Sequence, residues 1–170
     1  MNLNPAISKL VKEEDVAAVA KLAEIIWREH FTPIIGADQV AYMLDKFQSS
    51  EAISSQMATG TEYYMARVDG SLVGYAALIP DPPNSRMMIS KLYVTHDLRG
   101  AGVGSRLLAY TEQECAKRRL TLLWLTVNRF NDGPIQWYLR NGFRKVDEVK
   151  KDIGGGFYMD DFIMEKAIFG

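Results

Sequence analysis

The residues best suited to chemistry sit in one short run, Arg99-Gly100-Ala101-Gly102-Val103-Gly104-Ser105, where a β-rich stretch hands over to a helical one. Backbone N–H groups at such a junction can converge on an anion, with the positive end of the helix dipole behind them. A phosphate suits that place. Glycines permit the close approach, because a Cβ would occupy space the oxygens need, and Arg99 adds a formal charge. A bare glycine pattern fits a plain connector equally well. The dinucleotide fingerprint G-x-G-x-x-G fails, since its third glycine falls on Ser105 counted from Gly100 and on Leu107 counted from Gly102. The Walker string G-x-x-x-x-G-K-[ST] is absent.

Other reactive side chains are few. His30 and His96 are the only histidines and lack the H-E-x-x-H spacing, so no metal is expected. Cys115 is the only cysteine, which excludes an internal disulfide, and its place on an apolar helix face reads as small core residue rather than nucleophile.

The elements that position these residues follow from the pattern. The chain has 170 residues, 48% apolar and 11% aromatic, which fits one folded domain over residues 1–170 with a sizeable core. Its net charge of −1 offers no field for a polyanion, so nucleic acid is not an expected partner. Met1 to Val11 lacks a signal peptide's basic start and apolar run, and no apolar stretch could span a membrane; with one cysteine, the expectation is a cytoplasmic protein.

Ala6 to Val11 reads as a strand, and Val16, Val19, Ala20, Ala23, Ile26 and Trp27 recur at helical spacing behind Glu13, Glu14 and Asp15. Thr32-Pro33 and Ile35-Gly36 are expected to break that helix before a second stripe, Val40, Leu44 and Phe47, and a short turn with Ser50, Ile53 and Met57. Tyr63–Val68 and Leu72–Ile79 form a hairpin around Asp69-Gly70. Pro80, Pro82, Pro83 and Asn84 read as a loop, Met87–Val94 as the strand before the glycine turn, and Val103 to about Arg118 as the helix after it. The apolar run Thr121–Val127 predicts a central strand covered on both faces. Pro134 opens a short helix that Asn141-Gly142 ends, and Phe143–Val149 with Phe157–Lys166 close the chain as a hairpin. The sum is α/β, a mixed sheet without internal repeats.

The stretch KLYVTHDLRGAGVGSRLL resembles the acyl-CoA-binding motif of the GNAT superfamily of N-acyltransferases, R-x-x-G-x-[GA], with Arg99, Gly102 and Gly104 in register. Downstream, Asn128-Arg129-Phe130-Asn131 and Trp137 to Phe143 resemble its second signature, an asparagine followed seven residues later by a tyrosine and then Gly-Phe. The resemblance implies the single-domain GNAT (acyl-CoA N-acyltransferase) fold, a mixed, mostly antiparallel sheet with helices on both faces. It implies acceptor-side helices at about 13–58 and an acyl-CoA-binding core at about 86–143.

It further implies acetyl-CoA as cosubstrate. Leu92, Tyr93 and Val94 would bond the pantetheine arm, Arg99, Gly100, Ala101, Gly102, Val103, Gly104 and Ser105 would hold the pyrophosphate, and Asn131 would contact the arm. Tyr138 would be the catalytic residue, donating a proton to the leaving sulfur; plain packing is the competing role for Leu92, Val94 and Tyr138. The acceptor amine must lose a proton, and Met87 to Val94 holds no acid where many relatives carry a glutamate. Asp81, Glu29, His30 or a water chain remain open as the base. His96 is expected exposed beside the cofactor, and His30, after the first helix, near the acceptor.

The segment IIWREHFTPIIGADQVAYML and the ending FYMDDFIMEK resemble a bacterial branch that includes polyamine (spermidine and spermine) acetyltransferases. Glu29, Asp160 and Asp161 would then face a polycation, although solvated acids are the ordinary reading of such residues. Trp27, Phe31 and Tyr42 either line the acceptor cleft or pack the two helices, with packing favoured for Trp27. The expected partners are acetyl-CoA and a small amine, with no nucleic acid or membrane, and the last hairpin as a surface for a homodimer. Acetylation of a protein N-terminus or lysine, and a non-catalytic acyl-CoA sensor, are the alternatives.

Overall fold

Short turn signals set the strand boundaries and apolar stripes set the helices. In the computed structural model, which describes residues 3–169, the order is β1 (Ala6–Lys9), α1 (Glu13–Ile35), α2 (Ala37–Met43), a π-helical turn (Leu44–Gln48), α3 (Ser50–Ala58), β2 (Glu62–Val68) and β3 (Ser71–Asp81). There follow a 3-10 turn (Pro82–Asn84), β4 (Arg86–Val94), a 3-10 turn (His96–Leu98), α4 (Val103–Lys117), β5 (Leu122–Asn128), α5 (Asp132–Arg140), β6 (Arg144–Gly154) and β7 (Phe157–Ala167). The ends of the 1–170 span, and the start of the Met1–Val11 leader reading, lie outside the described residues.

The seven strands form one sheet in the order β1-β2-β3-β4-β5-β7-β6. Every neighbouring pair is antiparallel except β4 and β5. Asp69 and Gly70 take left-handed angles, φ 50° and 81°, and make the β2–β3 hairpin that their types predict. On one face, α1 to α3 pack Val19, Ala23, Ile26, Trp27 and Val40 against Tyr63, Met65, Tyr75 and Ala77. On the other, α4 and α5 cover Leu78, Met87, Ile89, Leu123 and Leu125.

A β-bulge decides which residues of β4 face which layer. Ala77 pairs with Lys91 but Leu78 pairs with Ile89, so Ser90 is the extra residue and the alternation reverses across it. Met87 and Ile89 therefore join the α4–α5 face, whereas Tyr93 packs with the α1–α3 face. Lys91 goes the same way: it is buried, and its ammonium bonds the Phe47 carbonyl, Gln56 Oε1 at 3.0 Å and Tyr63 Oη at 2.5 Å. Those three acceptors tie the π-helical turn and α3 to the sheet, and burial lowers the lysine to about 7.

Some expectations need correcting. The first helix does not break at Thr32-Pro33; α1 runs through Pro33 and ends at Gly36, φ 87°, whose N–H donates to Thr32 O at 3.0 Å. Proline removes one helical bond, and the packing of Phe31, Ile34 and Ile35 against the core outweighs that loss. His30 consequently lies within α1, not after it. Pro80 belongs to β3 rather than to a loop, because it lies past the last β2 pairing, Glu62 with Leu78, where its missing N–H is not needed. β5 is an inner strand flanked by β4 and β7 but not covered on both faces: Leu123, Leu125 and Val127 are buried, while Leu122, Trp124 and Thr126 are only half-buried. The last hairpin is longer than Phe143–Val149 implied, with β6 reaching Gly154.

Candidate active site where two strands separate

The parallel pairing of β4 with β5 covers only Arg86–Met88 against Leu122–Trp124. Past that point β4 continues to Val94 and β5 to Asn128 without pairing to each other, so the sheet opens into a V. Leu92, Tyr93 and Val94 line the β4 arm. On one edge they pair with Ala76, Tyr75 and Gly74 of β3, and β5 leaves the other edge without a partner strand. Backbone groups along such an edge can bond an extended ligand as though it were a strand.

The glycine turn closes the open end. Gly100 and Gly102 take left-handed angles, φ 81° and 91°, a conformation that L side chains rarely adopt. No side chain caps α4, and its first helical bond comes from Arg106 to Gly102 O, so the amides of Val103, Gly104 and Ser105 have no partner within the helix. A Cβ on Gly104 would lie 3.6 Å from Trp137, ordinary contact, so the protein interior does not itself demand glycine there. Val103 is buried beneath the turn, while Ser105 and Arg99 are exposed and Ala101 is half-buried.

His30 reaches this turn from α1. Its Nε2 lies 2.6 Å from Asn131 Oδ1, and its Nδ1 lies 3.4 Å from Arg99 Nη1, which is also 3.5 Å from His96 Nδ1. With Nε2 donating and Nδ1 accepting, the ring is neutral. Burial, followed by the charges of Arg99 and His96, holds His30 below its ordinary value against the opposing Asn131 bond. Asn131 is itself buried, and His96 is exposed.

Tyr138 projects from α5 with its ring 5.2 Å from Phe143 and 5.0 Å from Trp137, and it packs on the α4–α5 face. Burial raises its hydroxyl well above the usual tyrosine range, so it carries its proton at neutral pH. Tyr93 packs on the opposite face, 5.8 Å from Trp27 and 6.2 Å from Phe31. Burial raises its hydroxyl well above the usual tyrosine range, with smaller contributions from Tyr138, Asp161 and Tyr63.

The structure thus brings the β4 arm, the glycine turn, Asn131 and Tyr138 around one cleft, and adds His30. It separates the remaining candidates. Glu29 is exposed, and Asp81 lies at the paired end of β4, bound by Arg86 at 2.9 Å. Trp27 and Phe31 are core residues, and Tyr42 donates to Ile153 O at 2.7 Å, tying α2 to β6. Cys115 is buried. The acids of β7 divide: Asp160 pairs with Arg129 at 2.8 Å, whereas Asp161 is 5% exposed. The sequence could not separate them, since apolar residues accompany each, Met159 and Ile163 with Asp161, Phe162 and Met164 with Asp160.

Residues 19–143 match the model of the acetyltransferase (GNAT) family. The chain is 26% identical over 154 residues to an uncharacterised N-acetyltransferase of Lactobacillus delbrueckii subsp. lactis, covering 84% of this chain and 88% of that protein. It is 35% identical over 75 residues to the streptothricin acetyltransferase of Streptomyces lavendulae, covering 44% of this chain and 40% of that one. In fold it is similar to the PaiA N-acetyltransferase of Thermoplasma acidophilum in complex with coenzyme A, with a TM-score of 0.78, 24% identity and coverage of 97% and 99% of the two chains.

Proposed function

The chain belongs to the acetyltransferase (GNAT) family and is an acetyl-CoA-dependent N-acyltransferase, and from that premise we propose that it acetylates the primary amine of a small cationic molecule, with a polyamine as the leading case. The observation that carries the acceptor class is Asp161, a carboxylate buried beside the split without an ion-pair partner, which favours a cation over a neutral or anionic ligand.

The amides of α4 and the side chain of Arg99 hold the diphosphate, and the free edge of Leu92 to Val94 bonds the pantetheine arm. One of those strand amides accepts the developing oxyanion as the amine attacks the thioester. Asn131 steadies the arm, and Tyr138 supplies the proton that the departing sulfur takes. A tyrosine held high is a weak acid toward a thiolate of ordinary pKa ~8.5, so its hydrogen bond to the forming thiolate carries much of the effect. Transfer is direct, with no acyl-enzyme. The chain acts in the cytoplasm, and its β6–β7 hairpin, where Val146 and Tyr158 are exposed, serves as the surface for a second copy.

Initial rates with acetyl-CoA across polyamines, amino acids, aminoglycosides, streptothricin and peptides test the acceptor. Spermidine or spermine should give the highest kcat/KM. A preference for peptides would replace this reading with acetylation of protein amines, and binding of acetyl-CoA without turnover would leave a sensor.

A further inference from the structure

An amine with a pKa of ~10.4 is almost entirely protonated at neutral pH and cannot attack until it loses a proton. β4 carries no acid, and the other groups in reach are engaged. His30 is bound to Asn131, Lys91 is enclosed by three acceptors, Asp81 is paired with Arg86, and Glu29 faces solvent. Resting on the acetyl transfer read above, we propose that Asp161 is the general base, receiving the ammonium of the acceptor and taking its proton on the α1–α3 side of the split.

Placement supports this. The β5–β7 register sets Asp161 opposite Asn128, at the open end of β5, and Met159, two residues away on the same face, packs with the α1–α3 core. Tyr138 packs on the other face. A proton acceptor on one face of the sheet and a proton donor on the other thus flank the separation of β4 from β5. The β6 positions beside Asp161 are exposed, which leaves an approach for the amine.

Asp161 is the only buried carboxylate among the described residues, and no ion pair engages it. The nearby Arg129 pairs with Asp160 and Glu148 instead. Thr126 works against the rise that burial causes, and Asp160 adds a like charge. Charged and titratable neighbours are Asp160 on β7, Asp147 and Lys151 flanking its partner Val149 on β6, and Tyr93 on β4. Burial raises the carboxyl to about 6, so it is mostly ionised at pH 7 and is a better base than a surface aspartate. A buried charge without a partner is unfavourable for folding, and its place is explained by a cationic ligand that completes it.

The protons balance. Asp161 takes one from the ammonium, and the freed lone pair forms the C–N bond. The C–S bond breaks as Tyr138 gives its proton to sulfur, and the second nitrogen proton restores the tyrosine. Asp161 then releases its proton to solvent, leaving the amide and coenzyme A.

The test compares Asp161→Asn and Asp161→Glu with the wild type in kcat/KM against pH, acetyl-CoA affinity by calorimetry, and thermal melting. The wild-type profile should fall on the acid side of about pH 6, where the carboxylate is protonated. The asparagine variant should lose ~10²-fold at pH 7, show no limb there, and recover as pH rises toward the amine's own pKa, with acetyl-CoA affinity within about twofold. Glutamate should restore part of the rate and the limb. Asp161→Asn should melt no lower than the wild type at pH 8. A wild-type rate and limb in the asparagine variant would overturn the proposal, as would equal losses of activity, cofactor affinity and melting temperature in both variants. A wild type that transfers acetyl to no amine would instead sink the functional reading on which this rests.

Discussion

Burial raises both a hydroxyl and a carboxyl at this site, Tyr138 and Asp161. Tyr138 keeps its proton because burial disfavours the phenolate, and Tyr138→Phe removes the donor while leaving the ring packed on Phe143. Turnover should fall by about 10²-fold with acetyl-CoA affinity changed by less than about twofold, read by steady-state kinetics beside calorimetry. An unchanged kcat would remove Tyr138 from the chemistry. Its candidacy was legible because the motif around it lies within thirteen consecutive residues, from Asn131 to Phe143. His30 was not legible as a partner of Asn131, since the two lie 101 residues apart and meet only through packing. Asp161 reads in sequence as one of two adjacent acids, and burial alone distinguishes it.

At the scale of elements, the glycine turn tests whether a backbone cradle holds the cofactor. Gly102 is a confounded probe, because its left-handed φ of 91° would strain any replacement. Gly104 is cleaner: it lies in α4, a Cβ would make only ordinary contact with Trp137, and alanine favours the helix by about 1 kcal/mol. Gly104→Ala should therefore melt no lower than the wild type yet bind coenzyme A at least about tenfold more weakly. Undiminished calorimetric affinity would show that no diphosphate oxygen approaches that amide. The strand and helix boundaries here follow from local types, as with Asp69-Gly70 and Gly36. The bulge at Ser90 does not. An extra residue in one strand is defined by the register of its partner, here β3, and no residue type within β4 itself marks the reversal. Pro33 misled for a related reason, because the helix through it is sustained by core packing.

Across the whole molecule, the α4–α5 layer is fastened to the far strands by charge as well as by apolar contact. Arg118 forks onto Glu62 of β2 at 2.7 and 2.8 Å and also meets Glu114 at 3.1 Å, with Tyr64 donating to Glu62 at 2.8 Å. The Arg118 bond, against a smaller burial penalty, lowers Glu62 to about 2. Because the folded value lies below the unfolded one, the stabilisation is present above about pH 4.5 and is lost as pH falls toward 2. Glu62→Gln should lower the melting temperature by a few degrees at pH 7 and by much less near pH 2, measured by circular dichroism. An equal deficit at both pH values would mean that the pair adds nothing through charge.

What the amino-acid order determined by itself is what neighbouring residues decide together: the α/β alternation, the tight turns, the glycine-rich run at the mouth of α4, and the short helix that carries Tyr138. Backbone angles and unpartnered amides are local properties, so their signatures lie within a few consecutive residues. Only the tertiary structure decided the V between β4 and β5, the seat of Asp161 and the reach of His30 to Asn131. Each of these depends on which distant segments exclude water from a given side chain, and that is a property of packing between elements, which no stretch of sequence carries alone.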